Sequence, residues 1–312
     1  MKKHIALIIL LASLLAIFSS CDIFVPDTDI KIGVLNGPTG MGMAKLVADE
    51  KENEDSNYTF AAYASPDLAI PDLTKGDIDM LCLPTNTAAT LSKKLDISVI
   101  AINCLGSLYL MSDDATEIKS LSDLEGQTVY CSVPGSTTVP TINYLLTKAG
   151  VNATVECVSD HDALVAKIAS NEVSIAVLPE PKASAASMQN SKYSIDLNLS
   201  TEWDKLSDEP LTMGCLVVRN DFLRENSLAV SAFLKKYERS IDYVGNPENI
   251  DSAVNMIVAA GIIPKAPLAK KALTNLYGSI VYIDGADMKD ALASFYTAIA
   301  QEHPNESFYY TK

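Results

Sequence analysis

The chain states one pattern twice, and the repeat limits what it can fold into. Ile30-Lys31-Ile32-Gly33-Val34-Leu35 runs into Asn36-Gly37-Pro38-Thr39-Gly40 and then a helix-like run. Lys75-Gly76-Asp77-Ile78-Asp79-Met80-Leu81-Cys82-Leu83-Pro84 follows further on. The second copy starts at Thr128-Val129-Tyr130-Cys131-Ser132-Val133 and enters Pro134-Gly135-Ser136-Thr137-Thr138 before another helix. It closes on Ser170-Asn171-Glu172-Val173-Ser174-Ile175-Ala176-Val177-Leu178-Pro179. Each copy reads strand, small-polar loop, helix, strand, helix, strand ending in Leu-Pro. Short runs of Val, Ile, Leu and Tyr alternating with helical runs predict βαβ units, an α/β class and parallel sheets. Two such units predict two lobes. Their strand-end loops would then line a cleft, which is where open α/β sheets take ligands.

Strands are predicted at 30–35, 58–63, 80–83, 99–103, 107–111, 128–132, 154–158, 175–178 and 213–219. Thr39 or Gly40 begins one helix carrying Met41, Met43, Ala44, Leu46 and Val47. The last hundred residues are helical, over 226–244, 251–260, 267–277 and 286–301. In the last of these, Met288, Leu292, Phe295 and Ile299 form one apolar stripe. These C-terminal helices are extra padding on one lobe. The chain would leave the first unit at 102–107 and return at 206–214, giving two hinge crossings. The organisation is then 30–105 with 211–312 as a discontinuous first lobe, and 106–210 as the second.

The N-terminus reads as a secretory signal peptide over 1–20. Met1-Lys2-Lys3-His4 is basic, and Ile5 to Phe18 is an apolar run too short to span a bilayer comfortably. A transmembrane anchor is the alternative. Ser19-Ser20-Cys21 stands at the cleavage position. The formal net charge is −15 at pH 7, and loss of the two lysines makes it more negative. Such a surface disfavours nucleic acid and anionic lipid, but not a small anion held by local dipoles. Apart from Cys21, the cysteines are 82, 104, 131, 157 and 215, an odd number with no CxxC pair. They read as buried free thiols, with one disulfide as an alternative. No metal is expected, because His161 and His303 have no Cys or His at ligand spacing.

Four loops carry the candidate ligand residues. Asn36, Gly37, Pro38, Thr39 and Gly40 offer close backbone approach, a hydroxyl and a helix start. Thr85 and Asn86 follow Pro84. Gly135, Ser136 and Thr137 form a hydroxyl-rich turn suited to a carboxylate, sulfonate or phosphate. None of these loops contains Arg or Lys. Glu180, in Pro179-Glu180-Pro181, would favour an amine or a protonated ring if it faced the cleft. Trp203, the sole tryptophan, is either a stacking surface or packing. Asp160-His161-Asp162 reads as a helix start rather than as acid–base machinery.

A lipobox-like Cys21, two fused α/β lobes, Gly-Asp-Ile-Asp-Met at 76–80 and Leu-Pro-Glu-Pro at 178–181 resemble an ABC-transporter substrate-binding protein. More narrowly they resemble the nitrate/sulfonate/taurine and thiamine-precursor (NMT1-like) group of type II periplasmic binding proteins. The resemblance covers nearly all of 30–312. It implies a two-lobed fold with a hinge and an interlobe cleft. It implies an extracytoplasmic lipoprotein that captures a small solute and delivers it to a membrane permease. Cys21 would be acylated, residues 21–29 would be the tether, and the protein would sit as a monomer on the bacterial cell membrane. Carried over by position, the cleft would use Gly37 to Gly40, Thr85, Asn86 and Gly135 to Thr137, with Glu180 at the far wall. Yeast thiamine-pyrimidine synthases share this fold but need a cysteine-rich motif and a donor histidine, which this sequence lacks. The resemblance therefore implies no catalytic residues and no cofactor. A sensor lipoprotein without transport, or an enzyme on the same fold, are the alternatives.

Overall fold

The computed structural model describes residues 28–133 and 136–311. The predicted signal peptide, Cys21, the tether up to 27, Pro134 and Gly135 lie outside the described residues. The first copy of the repeat is β1 (Ile30–Leu35), α1 (Pro38–Met41), α2 (Ala44–Lys51), β2 (Tyr58–Tyr63), α3 (Pro66–Lys75) and β3 (Met80–Pro84). Then come α4 (Thr85–Leu91), β4 (Ile97–Leu105) and β5 (Leu108–Asp113). The second copy is β6 (Thr128–Ser132), α5 (Thr138–Ala149), β7 (Thr154–Val158), α6 (His161–Ala169) and β8 (Ile175–Pro179). It is followed by α7 (Lys182–Gln189), β9 (Tyr193–Asn198), α8 (Leu199–Asp204) and β10 (Thr212–Arg219). The chain ends with α9 (Asn220–Glu225), α10 (Ser227–Gly245), α11 (Ile250–Ala259), α12 (Ala266–Asn275), β11 (Ile280–Ile283) and α13 (Gly285–Ala298).

The strands form a six-stranded sheet, β11-β4-β10-β3-β1-β2, and a five-stranded sheet, β7-β6-β8-β5-β9. The repeat is preserved in both. β3-β1-β2 and β8-β6-β7 have the same order and are parallel throughout. Each trio is then extended by an antiparallel strand, β10 on β3 and β5 on β8. The sheets are therefore mixed, not parallel as the βαβ pattern predicts. β4 hands the chain to the second sheet and β9 hands it back through α8. The receiving strands, β5 and β10, thus enter each sheet against the direction of the repeat. The first sheet collects strands from residues 30–105 and 212–283, the second those from 108–198. The two crossings are joined where Gly106 N donates to Leu211 O at 2.7 Å.

The Gly-Asp-Ile-Asp motif lies at the end of the sheet away from the loops. Gly76 caps α3 at φ 83, and Asn171 takes the same left-handed conformation at φ 57 in the second copy. Asp79 accepts from Lys31 N at 2.9 Å and pins β3 to β1. Its carboxyl is raised by burial, against that backbone bond and nearby Arg219.

One predicted helix is broken. Instead of a run from Thr39 through Val47, α1 stops at Met41 and α2 restarts at Ala44. Ser240 on α10 is the cause. Its hydroxyl donates to Gly42 O at 2.6 Å and accepts from Leu46 N at 2.9 Å. Those two groups would bond each other in a continuous helix, so a side chain has been spliced into the i→i−4 ladder. Gly42 lies under Ile241, whose Cγ1 is 2.6 Å from where a Cβ on Gly42 would stand.

Trp203 is packing. It is fully buried, stands 4.6 Å from the Tyr144 ring and 5.9 Å from Phe295, and donates Nε1–H to Glu209 O. Tyr144 on α5 and Trp203 belong to the second lobe and Phe295 on α13 to the first, so this aromatic contact bridges the lobes. Cys82, Cys104, Cys131, Cys157 and Cys215 are free thiols, all but Cys157 buried. Burial pushes Cys82, Cys104 and Cys131 up to about 12, leaving them inert.

Candidate functional site

The β1 loop and the β8 loop meet across the lobes. A Cβ on Gly37 would lie 3.7 Å from Pro181 Cδ and 4.0 Å from Glu180 O. Asn36, exposed, holds its place by donating N–H to Tyr63 O. Pro38 opens α1, where its missing N–H costs nothing. Thr39 O accepts from Asn103 Nδ2 at 3.1 Å, and its methyl packs over Gly214. Gly40 is buried, and a Cβ there would fall 1.9 Å from Leu35 O, so no larger residue fits.

Thr85 and Asn86, predicted in a loop, are the first residues of α4, held from behind by Tyr296 on α13 and by Gln301 just beyond it. Tyr296 OH donates to Thr85 O and Gln301 Nε2 to Asn86 O, both at 3.0 Å. Thr85 is fully buried and gives its hydroxyl proton to Thr212 O at 3.0 Å. Across the seam, α5 and residues 298–300 bound an open groove of about 300 Å³, with Pro140, Tyr144 and Lys148 on its second-lobe side. The end of α13 thus lies between the start of α4 and this groove.

α5 begins after Ser136 and Thr137. Ser136 Oγ bonds Ser132 O at 3.2 Å. Thr137 is the N-cap residue of α5 yet makes no side-chain capping bond, so the first N–H groups of a twelve-residue helix are not closed off by it. Ser132 Oγ and His161 Nδ1 are 2.6 Å apart, and burial lowers the imidazole's pKa. His161 opens α6, capped by Asp160, which accepts from Ala163 N. Lys182 ion-pairs with Asp162. Sequence reasoning missed the cation at this edge, Lys182, which stands one residue beyond the β8 loop.

Glu180 stands at the far wall, but its carboxylate is already engaged. It is 2% exposed. Oε1 accepts from Ser184 Oγ at 2.9 Å and from Asn275 Nδ2 at 2.6 Å, and Oε2 accepts from Ser184 N at 3.2 Å. Burial raises the carboxyl's pKa, opposed by Asn275, Ser184 and Lys271. This corrects the expectation of a carboxylate free to favour an amine: three protein donors already hold it. Among the described residues no group of three or more His, Cys, Asp and Glu could hold a metal, and no helix is long and apolar enough to cross a membrane.

The family model described as NMT1/THI5 like matches residues 32–250, more than half of the chain. The chain belongs to the NMT1/THI5-like family. No curated protein matches it. Solved structures of periplasmic binding proteins share its fold. An ABC transporter protein from Parabacteroides distasonis is 22% identical, with 91% of this chain and 99% of that one covered and a TM-score of 0.74. The periplasmic aliphatic sulphonate binding protein SsuA from Escherichia coli is 15% identical, with 92% of each chain covered and a TM-score of 0.72. The alkanesulfonate-binding protein SsuA from Xanthomonas axonopodis pv. citri, bound to MOPS, is 13% identical, with 88% and 93% covered and a TM-score of 0.64.

Proposed function

We propose that this family member is an extracytoplasmic solute-binding lipoprotein of an ABC importer. It takes a small organic oxyanion, of sulfonate or carboxylate type, into the interlobe cleft and passes it to a permease. The observation that carries the reading is the approach of the β1 loop to the β8 loop across the lobes, Gly37 against Pro181. The Thr39 and Thr137 hydroxyls and the start of α5 are the donors of this reading, joined by the Ser136 hydroxyl once it leaves its 3.2 Å bond to Ser132 O, while Gly37, Pro38, Gly40, Thr85 and Asn86 shape the loops around them. The one carboxylate at the wall, Glu180, has its oxygens occupied, so nothing there favours a cation. Helix N–H groups and hydroxyls suit an oxyanion. The named sulfonate-binding relatives of the same fold support that class. Ser132 and His161 are hydrogen-bonded, but among the described residues no third group orients the imidazole, Asp160 capping α6 and Asp162 pairing with Lys182, which supports binding rather than catalysis.

Native mass spectrometry of protein purified without denaturation tests the ligand, with calorimetric titration of an aliphatic sulfonate against an aminopyrimidine. Sulfonate binding is expected. Binding of the aminopyrimidine alone overturns the oxyanion assignment. Thr39→Ala and Ser136→Ala each remove one donor, worth about 1 kcal/mol or roughly fivefold in affinity. Unchanged affinity in both would remove these loops from the site. Mass spectrometry of the mature N-terminus is expected to find acyl chains on Cys21 and none in Cys21→Ala.

A further inference from the structure

Behind the wall of the cleft, side chains of one lobe grip a helix of the other. α12 is fixed to the first lobe, packing on α11 and leading directly into β11. Its last residue, Asn275, reaches into the second lobe with both backbone and side chain. Tyr109 on β5 donates its OH to Asn275 O at 2.6 Å. Asn275 Nδ2 donates to Glu180 Oε1 at 2.6 Å and to Ser184 Oγ at 3.2 Å. One turn earlier, Lys271 Nζ donates to Ser187 Oγ on α7 at 2.6 Å. Tyr109, Glu180 and Ser184 are all at most 3% exposed.

We propose that Asn275, Lys271, Tyr109, Glu180 and Ser184 form an interlobe latch that holds the lobes closed before any solute binds. The chemistry is suited to that role. The carbonyl of Asn275 is one of the orphan acceptors at the end of α12, and Tyr109 satisfies it from across the seam. Glu180 is buried, and a charged acceptor in such a place makes a stronger bond than a neutral one. Opening the seam strips Glu180 Oε1 of its interlobe donor and leaves the Tyr109 hydroxyl and the Asn275 amide to find water. Such a cost resists opening whether the cleft is full or empty. Asn275 is a positioning residue in this scheme. Through Glu180 it sets the place of Pro181, which packs against Gly37 at the cleft. A solute-receptor latched in this way exchanges its solute slowly, at a rate set by rupture of these bonds rather than by solute contacts.

The test reads lobe separation in the empty protein, so it does not depend on which solute the cleft takes. Cys157 is an exposed thiol on β7 of the second lobe. Leu68→Cys adds another on α3 of the first, at a position 60% exposed. In a full-length Cys21→Ser background, spin labels on this pair report the interlobe distance by pulsed dipolar spectroscopy. Bound solute is removed beforehand by unfolding, washing and refolding. A single short-distance peak is expected for the otherwise native chain. Asn275→Ala is expected to move the main peak to longer distance, and Lys271→Ala to add a minor long-distance population. Tyr109→Phe removes one hydroxyl and no carbon, so it gives a readable result even where Asn275→Ala folds poorly, and it too is expected to add long distances. An empty native chain already at the long distance overturns the latch. So do Asn275→Ala and Tyr109→Phe distributions that superimpose on the native short peak.

Discussion

Replacing Ser240 by alanine isolates the contact that shapes the first cleft loop. Ser240 is 2% exposed and 194 residues from the Leu46 N–H that its oxygen accepts. Alanine leaves that buried N–H and the buried Gly42 carbonyl without their partner. Each unmade buried group costs about 1–3 kcal/mol. Alanine in a helix interior returns about 0.5 kcal/mol through propensity. The two orphans could recover by bonding each other, but only if α1 and α2 straighten into one helix. Ile241 above Gly42 and the Leu35 carbonyl against Gly40 oppose that movement. The net loss should be about 2–4 kcal/mol, within the range for breaking a buried hydrogen-bond network. Equilibrium urea unfolding measures it as a lower midpoint at unchanged slope. Solute affinity should fall as well, because α1 carries Thr39. A loss under about 0.5 kcal/mol with native affinity would mean that the hydroxyl does not hold the break, and the reasoning fails.

Gly40→Ala forces a Cβ to within 1.9 Å of the Leu35 carbonyl oxygen, so thermal melting should show a loss at or above the top of the ~1–3 kcal/mol range for overpacking. Gly126→Ala meets nothing within 4 Å at φ +73 and should cost only about 1–2 kcal/mol, from the left-handed backbone alone; equal losses would show that crowding at Gly40 is not decisive. Burial raises the Glu180 carboxyl, while Asn275, Ser184 and the Lys271 charge pull it back, and neutral Tyr109 faces it across Asn275. A carboxyl raised by folding holds its proton more tightly in the native state, so its contribution is full below the unfolded value of about 4.3 and is lost as pH rises through the folded value. Urea unfolding over this range should show native protein losing stability relative to Glu180→Gln as pH rises, and parallel curves would contradict it.

Residues whose structure depends on near neighbours were legible in the sequence. β1, β2, β6 and β7 begin and end where their Val, Ile and Tyr runs do, and Asp160 caps α6 as an Asp before a helical run should. β9 was missed although Tyr193, Ile195 and Leu197 alternate with polar residues; that period of two was the available signal. α3 was legible only as the second helix of the repeat, without bounds, because Pro71 stands inside it. Strand direction was not legible, because whether β5 and β10 run with or against their neighbours depends on which sheet receives them. The break at Gly42 depends on a hydroxyl far along the chain. The fate of Glu180 depends on Asn275, 95 residues away. A sequence shows that an acid stands beside two prolines. It does not show that an amide from the other lobe will take its lone pair.

The place of β10 has a consequence for the order of folding. It lies between β3 and β4 in the middle of the first sheet, yet it is made only after the whole second lobe. Until it arrives, β3 and β4 have no strand between them, and their pairing with it must span the whole second lobe, an entropic cost that local contacts do not face. The second lobe has its strands in one continuous stretch, with its ends drawn together where Gly106 N meets Leu211 O. The lobe begun second should therefore be finished first, and the lobe begun first completed around it. Pulsed hydrogen exchange during refolding should protect amides of β6 and β8 before those of β3 and β4, and the reverse order would rule this out.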